Sequence, residues 1–299
     1  MWSSLRFHPG QVLEAEIKDQ GYAVQQGTTS TTVTPRSAEP RHLPRHLLRV
    51  WSEIKSRILR AHRWALFLDF DGTLVKLRHH PDAVQLSKRT KATLERLARR
   101  ENLFVALVSG RSLRFLQTVV GGNRIACIGV HGGECEEKSI DLTKKARQAL
   151  RRAKRIARLQ LRDFPNVWIE DKRLSFAVHY RGARRATAVA ADLVLRGILA
   201  PMRDILRVMN GNKVWEVIPC EIEGKGGAVR ALLNGLPENT LAICVGDDTT
   251  DEAAFAVLAD HITVKVGRIR GTHAHFYLRN PTEVQRFLSR LEKDLPECK

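Results

Sequence analysis

The chain has 299 residues, long enough for one large or two smaller domains, and its 43% hydrophobic and 27% charged residues are the balance of a soluble globular protein. No run nears the roughly 20 apolar residues that span a bilayer, and the N-terminus has no apolar stretch of signal-peptide length, so a cytoplasmic location and no membrane partner are expected. A net charge of +18 favours anionic partners, and the five cysteines, odd in number and without metal-ligand spacing, read as reduced structural thiols.

In chain order, residues 1–60 read as a poorly ordered tail with a linker helix. Gly27 to Pro35 is polar, Pro35, Pro40 and Pro44 interrupt regular structure, and a short helix is predicted from about Leu47 to Ala61. From Trp64 apolar runs of strand length alternate with helical patterns. Ala65–Leu68 ends in Asp69, Leu103–Val108 in Ser109-Gly110-Arg111, and Ile125–Val130 in His131-Gly132-Gly133. Later Leu241–Val245 ends in Gly246-Asp247-Asp248, and Ile262–Val266 in Gly267. Helices are predicted over Ser87–Arg100, Ser112–Val120, Lys225–Leu233 and Asp251–Leu258. Continuous apolar runs indicate strands covered on both faces, hence a parallel sheet between helices. Ligands of such sheets bind beyond the carboxyl ends of the strands, where these polar residues stand.

The stretch 138–218 has another texture. A basic helix with one apolar face runs from Lys144 to about Arg162, and strands are predicted at Val167–Glu170, Ser175–Tyr180 and Lys213–Ile218, with a helix over Ala183–Leu199. Period-two alternation and short connections indicate an α+β unit inserted in the parallel-sheet domain. The expected division is therefore 1–60, core 61–137, inserted cap 138–218 and core 219–299. No aromatic residue interleaves the bases of Lys144–Arg162, so the basic helix reads as a solvated face and no nucleic-acid partner is expected.

Asp69-Phe70-Asp71-Gly72-Thr73 closes the first strand. In extended chain residues i and i+2 share a face, so both carboxylates aim at one volume, and two like charges that close need a cation. Mg²⁺ suits one or two carboxylates with phosphate and water oxygens. The second acidic cluster, Asp247-Asp248-Thr249-Thr250-Asp251-Glu252, closes another core strand and could complete the coordination, giving Asp69, Asp71, Asp247 and Asp248 as metal candidates. The Ser109 hydroxyl, the Gly110 N–H at a helix start and Thr73 suit phosphate oxygens. Lys225, between Gly224 and Gly226 at the start of another helix, is the candidate fixed cation, and Arg111 belongs to the same loop as Ser109.

These segments, in this order, resemble the four motifs of the haloacid dehalogenase superfamily. Within it the chain is similar to the trehalose-6-phosphate phosphatases through Leu68–Leu74, Gly129–Glu134, Glu170-Asp171-Lys172 with Ser175 and His179-Tyr180-Arg181, Val214 with Glu216 and Pro219, Lys225-Gly226 and Gly246–Glu252. The resemblance covers about 62–292. It implies a Rossmann-like core of haloacid dehalogenase type with an inserted α+β cap, a Mg²⁺ cofactor, and a small sugar phosphate as the substrate. It also implies roles. Asp69 is nucleophile and metal ligand, Asp71 acid/base with its backbone carbonyl toward the metal, and Asp247 a metal ligand. Ser109 and Lys225 hold the phosphoryl group. Lys172 and Glu216 contact sugar hydroxyls, with Arg181, His179 and Lys213 as further candidates, while His131 and Glu134 shape the core–cap junction. The chain departs from the family at Val75-Lys76-Leu77, where a proline-containing stretch is frequent, and at Ile218, where a polar residue is common. The implied reaction is hydrolysis of trehalose 6-phosphate, last step of trehalose biosynthesis, through an aspartyl-phosphate. The alternatives are a sucrose- or mannosyl-type ester, a phospho-acceptor signalling domain, and a nucleic-acid-binding protein on the same fold.

Overall fold

The computed structural model describes residues 43–77, 84–122, 124–136 and 139–296. The described residues begin with β1 (Arg45–His46), α1 (Trp51–Arg60) and β2 (Arg63–Leu68), followed by α2 (Lys88–Ala98), β3 (Leu103–Val108), α3 (Leu113–Val120), β4 (Ala126–Gly129) and β5 (Glu134–Cys135). Next come α4 (Lys144–Gln160), β6 (Trp168–Asp171), β7 (Phe176–His179), α5 (Arg185–Leu199), β8 (Leu206–Gly211) and β9 (Val214–Pro219). The chain then returns through α6 (Lys225–Asn234), β10 (Thr240–Gly246), α7 (Glu252–Val257), β11 (Ile262–Val266), β12 (Phe276–Leu278) and α8 (Pro281–Asp294).

Eight strands form one sheet in the order β1-β12-β11-β10-β2-β3-β4-β5, parallel throughout except for the β4–β5 pair. Alternation along β2 explains its two covered faces. Trp64, Leu66 and Leu68 join α1, α2 and α8 in one apolar layer, while Ala65 and Phe67 join α6 and α7 in the other. Side-chain caps fix where several helices start: Ser87 accepts from the Thr90 N–H, Ser112 from Phe115, Thr143 from Ala146 and Asn280 from Glu283. The helices therefore begin at positions that bring the β3–α3, β10–α7 and β2 exits together on one edge.

Strands between Trp168 and Pro219 build a separate four-stranded antiparallel sheet, β6-β7-β9-β8, with α4 and α5 on one of its faces. The sequence reading lacked β8, an edge strand whose Arg207 and Asn210 are exposed, so it shows no apolar run. The helix expected from about Leu47 to Ala61 is present as α1, but residues 43–60 pack as part of the core and not as a linker. Arg45 and His46 pair with Phe276 and Tyr277 at the sheet edge, and Leu47, Ile54 and Ile58 are buried in the core. A two-residue strand has no periodicity to read, and its place is set by β12, more than 200 residues away along the chain. The tail expected over residues 1–42 lies outside the described residues.

Candidate active site

Seven chain segments converge on one cavity between the two sheets, which is lined by Asp69, Asp71, Ser109, Gly110, Arg111, His131, Lys172, Glu216, Lys225, Asp247 and Asp248, among others. Asp69 follows the last residue of β2 and its N–H donates to the Val245 carbonyl at 3.0 Å, so the sheet's own ladder fixes the carboxylate at the strand end. The chain then turns tightly: the Gly72 N–H donates to Val75 at 2.8 Å, with Gly72 at φ +81°. A Cβ on Gly72 would stand 2.0 Å from Asp247 Oδ2, so glycine is required both by the backbone and by the close approach of Asp247. Gly72→Ala is expected to cost about 1–3 kcal/mol of stability and to displace Asp247. Thermal melting and Mg²⁺ titration of the variant measure both effects.

Lys225 lies wholly inside the protein at the start of α6, 2.7 Å from Asp69 Oδ1 and 2.8 Å from Asp251 Oδ1. Burial alone would lower its pKa, but Asp251 and Asp69 outweigh that effect and hold the ammonium firmly charged. Oxygens of Asp69, Asp247 and Asp251 lie within 4.8 Å of one another. Burial, followed by the neighbouring carboxylates, pushes the pKa of both Asp69 and Asp247 upward. Asp247 makes no hydrogen bond or ion pair among the described residues. One lysine facing three carboxylates leaves an excess of negative charge and an unsatisfied oxygen donor set, which fits a hard divalent cation. Asp251, rather than the expected Asp248, stands with Asp69 and Asp247, although Asp248 also lines the cavity. The Asp248 carboxylate accepts the Thr249 N–H at 2.7 Å as a helix cap, and the Asp251 carboxylate takes the place expected for it. The sequence pattern favours Asp248, but which of the two carboxylates points inward depends on the turn between them.

Asp71 shares the cavity with Asp69, and its carboxylate is held by Arg111 through two hydrogen bonds of 2.6 and 2.8 Å. The guanidinium also lies 4.6 Å from the Phe115 ring centroid. Arg111 is thus committed to Asp71, a bidentate pairing that fixes the orientation of that carboxylate. Ser109 is buried, and its Oγ accepts from the Arg111 N–H at 3.3 Å. The Thr73 hydroxyl is buried without a hydrogen-bond partner among the described residues.

Val130 and His131 follow β4 with φ +48° and +54°, in the left-handed region that a β-branched residue rarely adopts. This turn lays the His131 ring against the Ser109–Gly110 loop, so that a Cβ on Gly110 would come within 2.6 Å of His131 Nε2. His131 Nε2 is also 3.1 Å from Glu216 Oε2, which reaches across from the cap strand β9. Lys172 donates to Glu216 at 2.9 Å and to the Gly110 carbonyl at 3.0 Å, and Ser175 donates to the other Glu216 oxygen at 2.8 Å. Burial would raise the pKa of Glu216, but Lys172 and His131 together outweigh it and hold the carboxyl well below its ordinary range. Arg181 lines the cavity and donates to the Asn212 carbonyl at 2.8 Å. His179 and Glu170 also line it, paired at 2.8 Å. Glu170 was missed as a site residue, although its i, i+2 relation to Lys172 is the available signal. Lys213 instead sits over the Tyr180 ring at 5.9 Å, outside the cavity lining. Glu134 accepts the Leu113 N–H at 2.8 Å and so anchors the start of α3.

The trehalose-phosphatase family model matches residues 67–281, which takes in every segment of this cavity. The chain belongs to the trehalose-phosphatase family. Trehalose-phosphate phosphatase of Mycobacterium tuberculosis is 36% identical over 248 residues, covering 78% of this chain and 62% of that protein. Trehalose-phosphate phosphatase B of Arabidopsis thaliana is 27% identical over 247 residues, 76% of this chain and 65% of its own length. The chain therefore spans somewhat less than two thirds of the curated relatives it matches. Among solved structures, the C-terminal domain of Candida albicans trehalose-6-phosphate phosphatase superposes with a TM-score of 0.73 at 22% identity, covering 85% of this chain and 99% of that one. A trehalose-6-phosphate phosphatase related protein gives 0.64 at 27% identity, with 77% and 97% covered. A Bacteroides thetaiotaomicron phosphatase of the haloalkanoate dehalogenase superfamily gives 0.53 at 14% identity, covering 78% and 95%. The chain thus shares its fold with that phosphatase.

Proposed function

We propose that the chain hydrolyses trehalose 6-phosphate to trehalose and phosphate, the last step of trehalose biosynthesis. The observation that carries this reading is the position of the cap's Lys172–Glu216 pair, which faces the Asp69–Asp71 pair across one cavity. A sugar and its phosphate would thus meet opposite walls, with residues 138–218 acting as the cap. A solvated, reducing compartment suits the free thiols, and among the described residues no helix is long and apolar enough to cross a membrane; we assign the chain to the cytoplasm.

Asp69 attacks phosphorus in line, forming the Asp69–phosphorus bond as the bond to the sugar 6-oxygen breaks. Asp71, oriented by Arg111, gives that oxygen its proton. In the second step Asp71 takes a proton from water, whose oxygen bonds to phosphorus and releases the Asp69 carboxylate. Lys225 opposes the effect of burial on Asp69 and aims its carboxylate, while Ser109 and the Gly110 N–H face the phosphoryl oxygens. Thr73 offers its unpartnered hydroxyl. Mg²⁺, held by Asp69, Asp247, Asp251 and the backbone of Asp71, would offset phosphate charge. Lys172, Glu216, Arg181 and His131 orient the sugar and exclude water from the cavity.

Phosphate release from trehalose 6-phosphate, set against sucrose 6-phosphate, mannosyl phosphates and a small aryl phosphate, tests the substrate. Preference for another sugar phosphate would overturn it. In chelator, turnover is expected to fall at least about 100-fold and to return with Mg²⁺. Independently of turnover, Mg²⁺ should raise the melting temperature in a concentration-dependent way, and this rise should vanish in Asp247→Asn.

A further inference from the structure

The cap has a face that this chemistry does not use. Ala149, Ala153 and Ala157 of α4 and Ala191, Leu195 and Ile198 of α5 pack on Phe176, Val178 and Val217 of the cap sheet. Glu216 and His179, which line the cavity, alternate with those sheet residues and so point to the opposite side. The two helices therefore form an outer layer, turned away from the cavity.

Within that layer α4, KKARQALRRAKRIARLQ, carries eight basic residues and no acidic one. The neighbouring acids are already engaged. Asp141 pairs with Arg147, Asp171 with Lys154 and Arg158, and Asp192 with Arg196. Lys144, Lys145, Arg151, Arg152 and Arg155 are exposed and have no acidic partner among the described residues. At about 100° per residue Lys144, Arg151 and Arg155 fall in one stripe, about 16 Å long, flanked by Arg152.

Charge alone suits any polyanion, but the same layer also exposes aliphatic side chains. Leu159 is 61% exposed, Val189 55% and Leu193 67%. On α5, Val189 and Leu193 continue a solvent-facing apolar stripe with Ala186, Ala190 and Gly197. A nucleic-acid backbone has no use for aliphatic groups, and neither helix contains an aromatic residue on which bases could stack. A second copy docked face to face would set cations against cations. An anionic bilayer surface accommodates both features, with the cations among the headgroup charges and the aliphatics at the acyl boundary.

We propose that the α4–α5 face of the cap docks the protein reversibly on an anionic lipid surface, leaving the cavity turned to solution. The test is sedimentation of the full chain with vesicles of phosphatidylcholine alone or with about 30% phosphatidylserine. Binding to the anionic vesicles only, abolished by about 0.5 M salt, is expected. Arg151→Gln/Arg152→Gln/Arg155→Gln should weaken partitioning at least about tenfold, and Val189→Ser/Leu193→Ser about threefold. Phosphate release and melting temperature should be unchanged in both variants; Lys144→Gln/Lys145→Gln serves as the second charge variant if the first melts early. Two outcomes overturn the proposal. One is absence of binding to the anionic vesicles. The other is a serine variant that partitions like wild type while duplex DNA competes the vesicles away, which would make the face a general polyanion site.

Discussion

Asp69→Asn is expected to lower phosphate release by about 10⁴-fold or more without lowering the melting temperature. The two halves of this result have separate causes. The amide occupies the carboxylate's volume but cannot form an acyl-phosphate at useful rates. Stability, by contrast, exchanges the ion pair to Lys225 at 2.7 Å for relief from the like charges around it. Asp69 is buried beside Asp247 and Asp251, and its pKa is pushed up because the charged form is unwelcome there without a cation. A neutral amide removes that repulsion, and Lys225 keeps Asp251 as its counter-ion at 2.8 Å. Activity above about 1% of wild type would refute the nucleophile assignment. Rapid quench of the wild-type enzyme completes the test. A phosphoenzyme that forms and turns over is expected, whereas a stable phosphoprotein would point to a signalling acceptor.

Glu216→Ala should have the largest effect on stability. The carboxylate is 5% exposed, and Lys172, Ser175 and His131 converge on it from three segments. Removing it strands a buried ammonium, a change that costs about 3–5 kcal/mol when one partner of a buried ion pair is lost. Catalytic efficiency toward trehalose 6-phosphate should fall at least about 100-fold more than toward a small aryl phosphate, because the latter has no sugar for this cluster to hold. Equal losses on the two substrates would leave Glu216 a purely structural role.

The same cluster sets an acid limit. Because the folded-state pKa of Glu216 lies below its unfolded value, its contribution is complete above about pH 4.3 and is lost as pH falls toward the folded pKa. Wild type should therefore lose melting temperature below about pH 4 more steeply than Glu216→Gln, in which nothing remains to be protonated at that position. Parallel curves would mean that the cluster does not hold Glu216 ionised.

Much of the core site was legible because its residues sit where apolar runs stop. Asp69, Ser109 and Asp247 each follow a strand that is mostly buried and mostly apolar, and a parallel sheet brings such ends to one edge. The expected sheet, its flanking helices and the inserted antiparallel unit are all present. Lys225 was legible for a related reason, since glycines on both sides mark a close backbone approach: a Cβ on Gly226 would press to 2.9 Å from the Ala253 backbone.

Other features were decided only in three dimensions. Arg111 could have met a phosphate or a carboxylate, and the bidentate grip on Asp71 depends on how the β3–α3 turn passes the β2 loop. Asp251 rather than Asp248 enters the acidic cluster because a short helical turn reverses which carboxylate points inward. The cluster of His131, Lys172 and Glu216 joins two sheets, through residues tens of positions apart. The sequence by itself determined the alternation of buried strands and helices, and with it the Asp69–Asp71 pair, since local patterning reports which faces avoid water. Which charge meets which counter-charge was decided by the tertiary structure alone, because an ion pair acts over a few ångströms while the register that brings its partners together is a property of the whole fold.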